Sequence, residues 1–219
     1  MDITRIAIFY DGNFLLHSSN YYNYIHHVRR RISIGGLQRF LKSHISDLIG
    51  YDISDCRISE SHYFRGRLNA TDAASRGNQL YNDRVFDDIL MSEGVQKHYL
   101  PLRNSGSRRE ESGTNVWLSL EAYQKAVRGD YDVAVLVVAD TDYVPLLRKL
   151  SQLNVKTVVV GWDFEYTTDE GVLMTTRTSH ELRSIADISL YMTQVIEDKL
   201  MDDDPVANAI FVGGANGTL

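Results

Sequence analysis

Two short hydrophobic segments, the unbroken aliphatic run 133–138 and the valine-rich segment 155–160, constrain the fold of this chain more than any other feature of its sequence. A run of this length without alternating polar residues is typical of a strand buried on both faces, as in a parallel sheet. A stretch with helical periodicity, residues 143–153, separates the two runs. The sequence therefore predicts a βαβ unit at the centre of a mainly parallel sheet.

The same alternation continues along the rest of the chain. Further strands are predicted at residues 6–10, 56–64 and 95–100, and further helices at 37–49, 72–92 and 116–127. Near the C-terminus, Ser179 is expected to cap a short helix with Leu182 on its inner face, and the apolar segment 188–196 is expected to pack on the sheet. The pattern as a whole indicates an α/β fold.

The length of 219 residues and the 43% content of hydrophobic residues suffice for one well-buried core. We expect one domain over residues 1–198. Residues 199–219 are expected to form a tail that is acidic at its start and flexible beyond. The polar segment 103–113, rich in serine, glycine and arginine, is predicted to be a mobile loop.

Composition excludes several classes of protein. Cys56 is the one cysteine, so neither an intramolecular disulfide nor a cysteine-based zinc site is expected, which fits a reducing compartment such as the cytoplasm. No secretory signal and no apolar run of roughly 18 residues is found, so we expect no membrane association. The net charge of −6 argues against a protein that coats nucleic acid through bulk positive charge.

Acidic residues follow two of the predicted strands. Asp11 comes after the first strand, and Asp140 and Asp142 follow the run 133–138. Because ligands of open parallel sheets bind beyond the carboxyl ends of the strands, these side chains are expected to share one cleft, with the amide of Asn13 beside them. Each aspartate alone is equally compatible with a helix cap or a turn.

Carboxylates that lie a few ångströms apart resist ionising together unless a cation joins them. Magnesium and manganese prefer oxygen ligands, so Mg²⁺ or Mn²⁺ is the expected cofactor. Such ions activate water for in-line attack at phosphorus, which indicates phosphodiester hydrolysis.

At these residues the sequence resembles the NYN domain family, a branch of the PIN-like nucleases that includes LabA-type bacterial proteins. The resemblance extends over roughly residues 5 to 195 and rests on four motifs in order: Phe9-Tyr10-Asp11-Gly12-Asn13, Glu111-Ser112-Gly113-Thr114-Asn115-Val116-Trp117-Leu118, Ala139-Asp140-Thr141-Asp142-Tyr143-Val144-Pro145-Leu146, and Ser179-His180-Glu181-Leu182 followed by Ala186-Asp187. It implies a Rossmann-like, PIN-like three-layer fold with a mainly parallel sheet of about five to six strands. It also implies a metal-dependent ribonuclease site in which Asp11, Asp140 and Asp142 hold the metal.

One motif departs from the family pattern. Where the family usually has Lys-Gly-Val-Asp, this chain has Ser112-Gly113-Thr114-Asn115, so an acidic ligand is replaced by an amide. The carbonyl oxygen of Asn115 is a neutral and weaker ligand for magnesium, so metal affinity is expected to fall. If the helix begins early, Glu111 lies four residues before Asn115 on the same face and is a candidate replacement ligand. The alternative for Glu111 is an acid that complements the helix dipole.

Arginines are expected at the rim of the cleft, where their contacts to phosphate would carry little base preference. The candidates are Arg65, Arg67, Arg108 and Arg109. Tyr21, Tyr22 and Tyr24, next to the basic run 26–31, either stack on single-stranded bases or pack on the body of the protein, and the second interpretation is favoured slightly. His17, His26 and His27 show no zinc-ligand spacing, so a zinc site is not predicted.

The leading hypothesis is a metal-dependent endoribonuclease that acts on single-stranded or structured RNA. The alternative, motivated by Asn115, is a catalytically weak or inactive NYN-like module that binds RNA or a protein partner. A phosphohydrolase of the haloacid dehalogenase type is disfavoured, because its second aspartate is replaced here by Asn13. The sequence leaves self-association open.

Overall fold

A computed structural model describes residues 3–105, 108–168, 171–201 and 205–213. Within these ranges the side chains of residues 103–110, 201 and 206–207 are not described. The strands are β1 (Thr4–Asp11), β2 (Cys56–Arg67), β3 (Gln96–Pro101), β4 (Arg103–Ser105), β5 (Arg108–Glu110), β6 (Val133–Val137), β7 (Lys156–Gly161), β8 (Phe164–Thr167), β9 (Leu173–Thr176) and β10 (Ile188–Tyr191).

Six of these strands form a central parallel sheet in the order β3-β2-β1-β6-β7-β10. The helices are α1 (Gly12–Asn20), α2 (Ile34–Ile49), α3 (Ala70–Ala74), α4 (Gln79–Ser92), α5 (Thr114–Arg128), α6 (Val144–Gln152), α7 (His180–Ile185), α8 (Met192–Met201) and α9 (Pro205–Ala209). A π-helical turn, Tyr21–Ile25, extends α1, and 3₁₀ turns lie at Ile53–Asp55 and Thr141–Tyr143.

Alternation along the central strands produces a core on each face of the sheet. In β1, Ile6 and Ile8 point into the cluster that holds α1 and α2, whereas Ala7 and Phe9 point into the cluster that holds α5 and α6. All four side chains are fully buried, because successive residues of a strand face opposite sides and both sides are covered by helices. The predicted three-layer α/β fold with a parallel sheet of five to six strands is therefore confirmed.

Two segments differ from their sequence-based prediction. The single helix predicted over 72–92 is divided, since α3 ends at Ala74 and α4 begins at Gln79. Gly77, between them, has a φ of +59°, in the left-handed region that interrupts a helix. The segment 103–113, predicted to be a mobile loop, contains an antiparallel backbone pair in which β4 meets β5. The predicted cap of α7 is confirmed, because the Ser179 hydroxyl accepts the Leu182 N–H.

The expected tail contains residues that pack on the domain. Ile210 and Phe211 are fully buried, and Phe211 forms an isolated bridge with Ile32. Gly36 allows this approach, since a Cβ there would overlap the carbonyl of Ala209. Ile210 and Phe211 thus attach part of the expected tail to the domain. The proposed division at residue 198 stays a prediction, and residues 202–204 and 214–219 lie outside the described part of the chain. Among the described residues, no helix combines the length and the apolar character that a bilayer crossing requires.

Candidate active site

A cleft of about 750 Å³ lies at the carboxyl ends of the central strands. The strand order reverses between β1 and β6, which is where open parallel sheets bind ligands. β1 ends at Asp11, and β6 ends at Val137, three residues before Asp140. The predicted site residues that line the cleft are Asp11, Asn13, Glu111, Asn115, Asp140 and Asp142.

Asp11 is held in the cleft by both of its carboxylate oxygens. Oδ1 accepts the N–H groups of Asn13 and Phe14, each at 3.1 Å, and so caps α1. Oδ2 accepts the hydroxyl of Tyr143 at 3.1 Å. Burial raises the pKa of the Asp11 carboxyl and the charge of Glu111 adds to this rise, against the opposing hydrogen bonds. Asp11 is therefore a helix cap and a cleft carboxylate at once.

Asp140 and Asp142 also line the cleft, and both are exposed. Oδ1 of Asp140 accepts the N–H of Asp142 at 3.0 Å and the hydroxyl of Thr141 at 3.2 Å, which caps the 3₁₀ turn after β6. Oδ2 of Asp142 accepts the side-chain amide of Asn115 at 3.3 Å. Both side chains keep contact with solvent, so they remain able to take up a ligand from the cleft.

Tyr143 and Asn115 connect Asp11 with Asp142 through hydrogen bonds. The Tyr143 hydroxyl lies 3.1 Å from Oδ2 of Asp11 and 3.0 Å from Oδ1 of Asn115, whose amide in turn meets Asp142. The hydroxyl has one proton, so it donates a hydrogen bond to only one of these two oxygens at a time. Tyr143 is 1% exposed, and its burial, followed by the charge of Asp11, raises its pKa far above the ordinary value.

Tyr143 is the site residue that sequence reasoning missed. It belongs to the quoted motif 139–146, but a large aromatic residue at the start of an amphipathic helix indicates a core position. The signal that was available is its place directly after two cleft aspartates. A phenylalanine would fill the same core space without placing a hydroxyl in the cleft.

Glu111 reaches the cleft by a different route from the predicted one. α5 begins at Thr114, so Glu111 precedes the helix and does not share a helical face with Asn115. Its Oε1 accepts the backbone N–H of Gly66 at 2.6 Å. Gly66 permits this contact, because a Cβ there would lie 3.0 Å from Cγ of Glu111 and closer still to Leu102. Glu111 is near enough to Asp11 to raise the pKa of that carboxyl.

A second, smaller cavity of about 170 Å³ adjoins the cleft beyond Gly66, and both Arg65 and Arg67 line it. Arg67 is committed inside the protein: it pairs with Asp87 at 2.8 Å and with Asp83 at 3.7 Å, and its guanidinium lies over the ring of Tyr99. These contacts argue against the predicted role of Arg67 in binding RNA.

Among the other predicted rim residues, the structure describes the side chain of Arg65 and only the backbone of Arg108 and Arg109. Arg65 lies beside the Tyr63 hydroxyl, where its charge partly opposes the burial that raises the pKa of Tyr63 to about 12. That hydroxyl donates to the carbonyl of Gly12 at the start of α1, so Arg65 is next to the cleft. Arg108 and Arg109 have backbone in β5, but their side chains lie outside the described residues.

Two of the three tyrosines before the basic run pack on the body of the protein, as the favoured interpretation predicted. Tyr22 is fully buried, and Tyr21 stacks on Phe164 with ring centroids 4.2 Å apart. Tyr24 is 57% exposed and hydrogen-bonds Arg31.

A family model for the NYN domain matches residues 5–192. The chain belongs to the NYN domain family. The fold is also similar to the crystal structure of a protein of unknown function from Vibrio parahaemolyticus, with a TM-score of 0.56 and 18% sequence identity. That match covers 87% of this chain and 93% of the other, and at this identity it shows the fold alone. A search of curated proteins found no match.

The NYN cleft has the donor atoms that a hard divalent cation requires. Asp11, Asp140, Asp142 and Glu111 offer carboxylate oxygens, and Asn115 offers a carbonyl oxygen. The pKa of Asp11 is raised chiefly by burial and further by the charge of Glu111. Among the described residues, however, no three cleft carboxylates have ligand atoms that all lie within 4.8 Å of one another. The side chains that meet this criterion lie elsewhere in the fold.

Proposed function

We propose that this NYN domain is a divalent-metal-dependent endoribonuclease that hydrolyses phosphodiester bonds in single-stranded or structured RNA. The observation that carries the proposal is that Asp11, Asp140 and Asp142 line one open cleft, at the point where the strand order reverses. The family supports a nuclease-type module.

In this proposal Asp11, Asp140 and Asp142 hold Mg²⁺ or Mn²⁺, with Asn115 and Glu111 as further oxygen donors. The bound ion would neutralise charge at the scissile phosphate and supply activated water for in-line attack. The residues of the chain orient the donors. The amides of Asn13 and Phe14 fix one oxygen of Asp11, and the Tyr143 hydroxyl fixes the other.

The proposed substrate follows from charge and openness. The cleft acids repel a polyanion, so an RNA backbone would enter only with the cation bound. Arg65, at the rim, would then contact a neighbouring phosphate, and the amide of Asn13 would offer a hydrogen bond. Contacts of this kind carry little sequence information, which favours a nuclease with weak base preference.

The test is cleavage of a labelled single-stranded RNA in Mn²⁺ by the wild type and by Asp11→Asn and Asp140→Asn. Each variant removes one proposed ligand charge with little change in shape, so we expect the rate to fall on the order of 100-fold or more. Asp88→Asn, which alters an exposed aspartate on α4, is the matched control and should cleave as the wild type does. Equal cleavage by all four proteins would identify a contaminating nuclease and reject the proposal.

A second candidate function is an RNA-binding or protein-binding module with little catalysis. The observation that favours it is that neutral groups already satisfy the acids: the amide of Asn115 meets Asp142, and the Tyr143 hydroxyl meets Asp11. Asn115→Asp distinguishes the two candidates. A large gain in metal affinity and cleavage would mean that the natural chain is impaired, whereas unchanged cleavage would favour a complete site that uses Glu111.

A further inference from the structure

A second group of metal-binding side chains lies away from the cleft. His26, His27 and Glu197 each offer a ligand atom, and these atoms all lie within 4.8 Å of one another. His26 and His27 follow the π-helical turn, and Glu197 belongs to α8. α1 begins at the cleft, and α1 with its turn contains 14 residues (nine and five), so the group lies about 20 Å further along the helix axis.

The three side chains are held together by packing on both elements. Nε2 of His26 lies 2.5 Å from Oε1 of Glu197, and the rings of His26 and His27 are 4.1 Å apart. His26 is 8% exposed, and its ring meets Tyr22 edge-on at 4.9 Å. His27 is exposed, so solvent reaches the group from one side.

We propose that His26, His27 and Glu197 form a second cation site, which takes Zn²⁺ or a chemically similar late first-row divalent ion. Two imidazoles and one carboxylate suit zinc, whereas magnesium prefers a set made of oxygen alone. Three protein ligands leave a further position for water. The bound ion ties the end of the first helical segment to α8, two elements that are far apart in sequence.

The surroundings favour a cation at this place. Glu197 is the carboxylate of the group, and the arginines of the neighbouring basic run are engaged with other partners. Arg30 lies over the ring of Phe211 and donates to Asn208, and Arg31 donates to Tyr24. These guanidiniums contact other groups, and His26 is the hydrogen-bond partner that the structure shows for Glu197, whose carboxylate a bound ion would share.

Binding has an identifiable cost. The N–H of Val28 donates to Nδ1 of His26 at 3.3 Å, so a neutral His26 carries its proton on Nε2 and directs it at Glu197. A cation bound at Nε2 displaces that proton to Nδ1, so the Val28 contact is given up. The contact is long, so its loss costs little. Three metal–ligand bonds outweigh this cost.

The experiment uses the full chain, freed of metal, and titrates it with Zn²⁺ alone by calorimetry. His27→Ala removes an exposed ligand without opening the core, and Glu197→Gln removes the charge. We expect each to weaken the tightest zinc site by at least about tenfold. His17→Ala and Asp140→Asn, which alter the cleft, are the controls and should leave that site unchanged. Thermal unfolding should show stabilisation by Zn²⁺ in the wild type and not in His27→Ala.

Two results would overturn the inference. One is a zinc affinity in His27→Ala and Glu197→Gln equal to that of the wild type. The other is loss of tight binding in Asp140→Asn alone, which would place the zinc in the cleft. Because the readout is zinc binding, the outcome is independent of whether the chain cleaves RNA.

Discussion

Replacing Asn115 by aspartate tests directly how the cleft acids are balanced. The side-chain amide of Asn115 lies 3.3 Å from Oδ2 of Asp142 and its carbonyl oxygen lies 3.0 Å from the Tyr143 hydroxyl. Asn115→Asp turns the contact with Asp142 from a hydrogen bond into a repulsion between two carboxylates. At 3.3 Å, with an effective dielectric constant of roughly 40 to 80 for exposed groups, that repulsion is roughly 1 to 2.5 kcal/mol.

The assay is unfolding of the wild type and of Asn115→Asp, first in EDTA and then with Mn²⁺. In EDTA we expect the variant to lose roughly 1 to 2.5 kcal/mol of unfolding free energy, a fall in Tm of about 2 to 4 °C for each kcal/mol. Mn²⁺ should reverse the loss and stabilise the variant more than the wild type, because the ion joins carboxylates that otherwise repel.

Asn115→Ala is the matched control, since it removes both hydrogen bonds without adding charge. It should lose about 1 kcal/mol and show no added response to Mn²⁺. The reasoning is refuted if Asn115→Asp in EDTA is as stable as Asn115→Ala and responds to Mn²⁺ no more than the wild type. Asn115 would then not take part in the balance of charge in the cleft.

Three further predictions concern other parts of the molecule. Tyr143→Phe should retain the fold and lower RNA cleavage by about tenfold, because Asp11 and Asn115 lose their shared donor. Burial lowers the pKa of His98 to about 4, below its unfolded value of 6.5, so stability should fall as the pH drops from 6.5 towards 4. In urea unfolding, His98→Gln should reduce the loss of unfolding free energy between these pH values by an amount on the order of 1 to 2 kcal/mol, which allows for the partial exposure of His98. Phe211→Ala should cost about 3 kcal/mol, whereas the more exposed Val212→Ala should cost little; a tail without packing would make the two equal.

The sequence by itself determined the layers of the fold and the positions of the acids. Residues 133–138 and 155–160 indicate strands that are covered on both faces. Because a helix connects them, the two strands are expected to lie parallel in one sheet. Once the strands are parallel, residues that follow them lie at one edge. Asp11 and Asp140 could therefore be assigned to one cleft before any coordinates were known. These inferences succeed because they depend on periodicity within short segments.

Only the tertiary structure decided which side chains complete each site. The Tyr143 hydroxyl, the attachment of Glu111 to Gly66, and the meeting of His26 with Glu197 all join residues far apart in the chain or depend on the direction of one buried group. Arg67 shows the same limit, since its ion pair with Asp87 of α4 has no counterpart in the local sequence pattern. Local sequence carries little signal for such contacts, because they are set by how the layers pack and by which charged groups then lie next to each other.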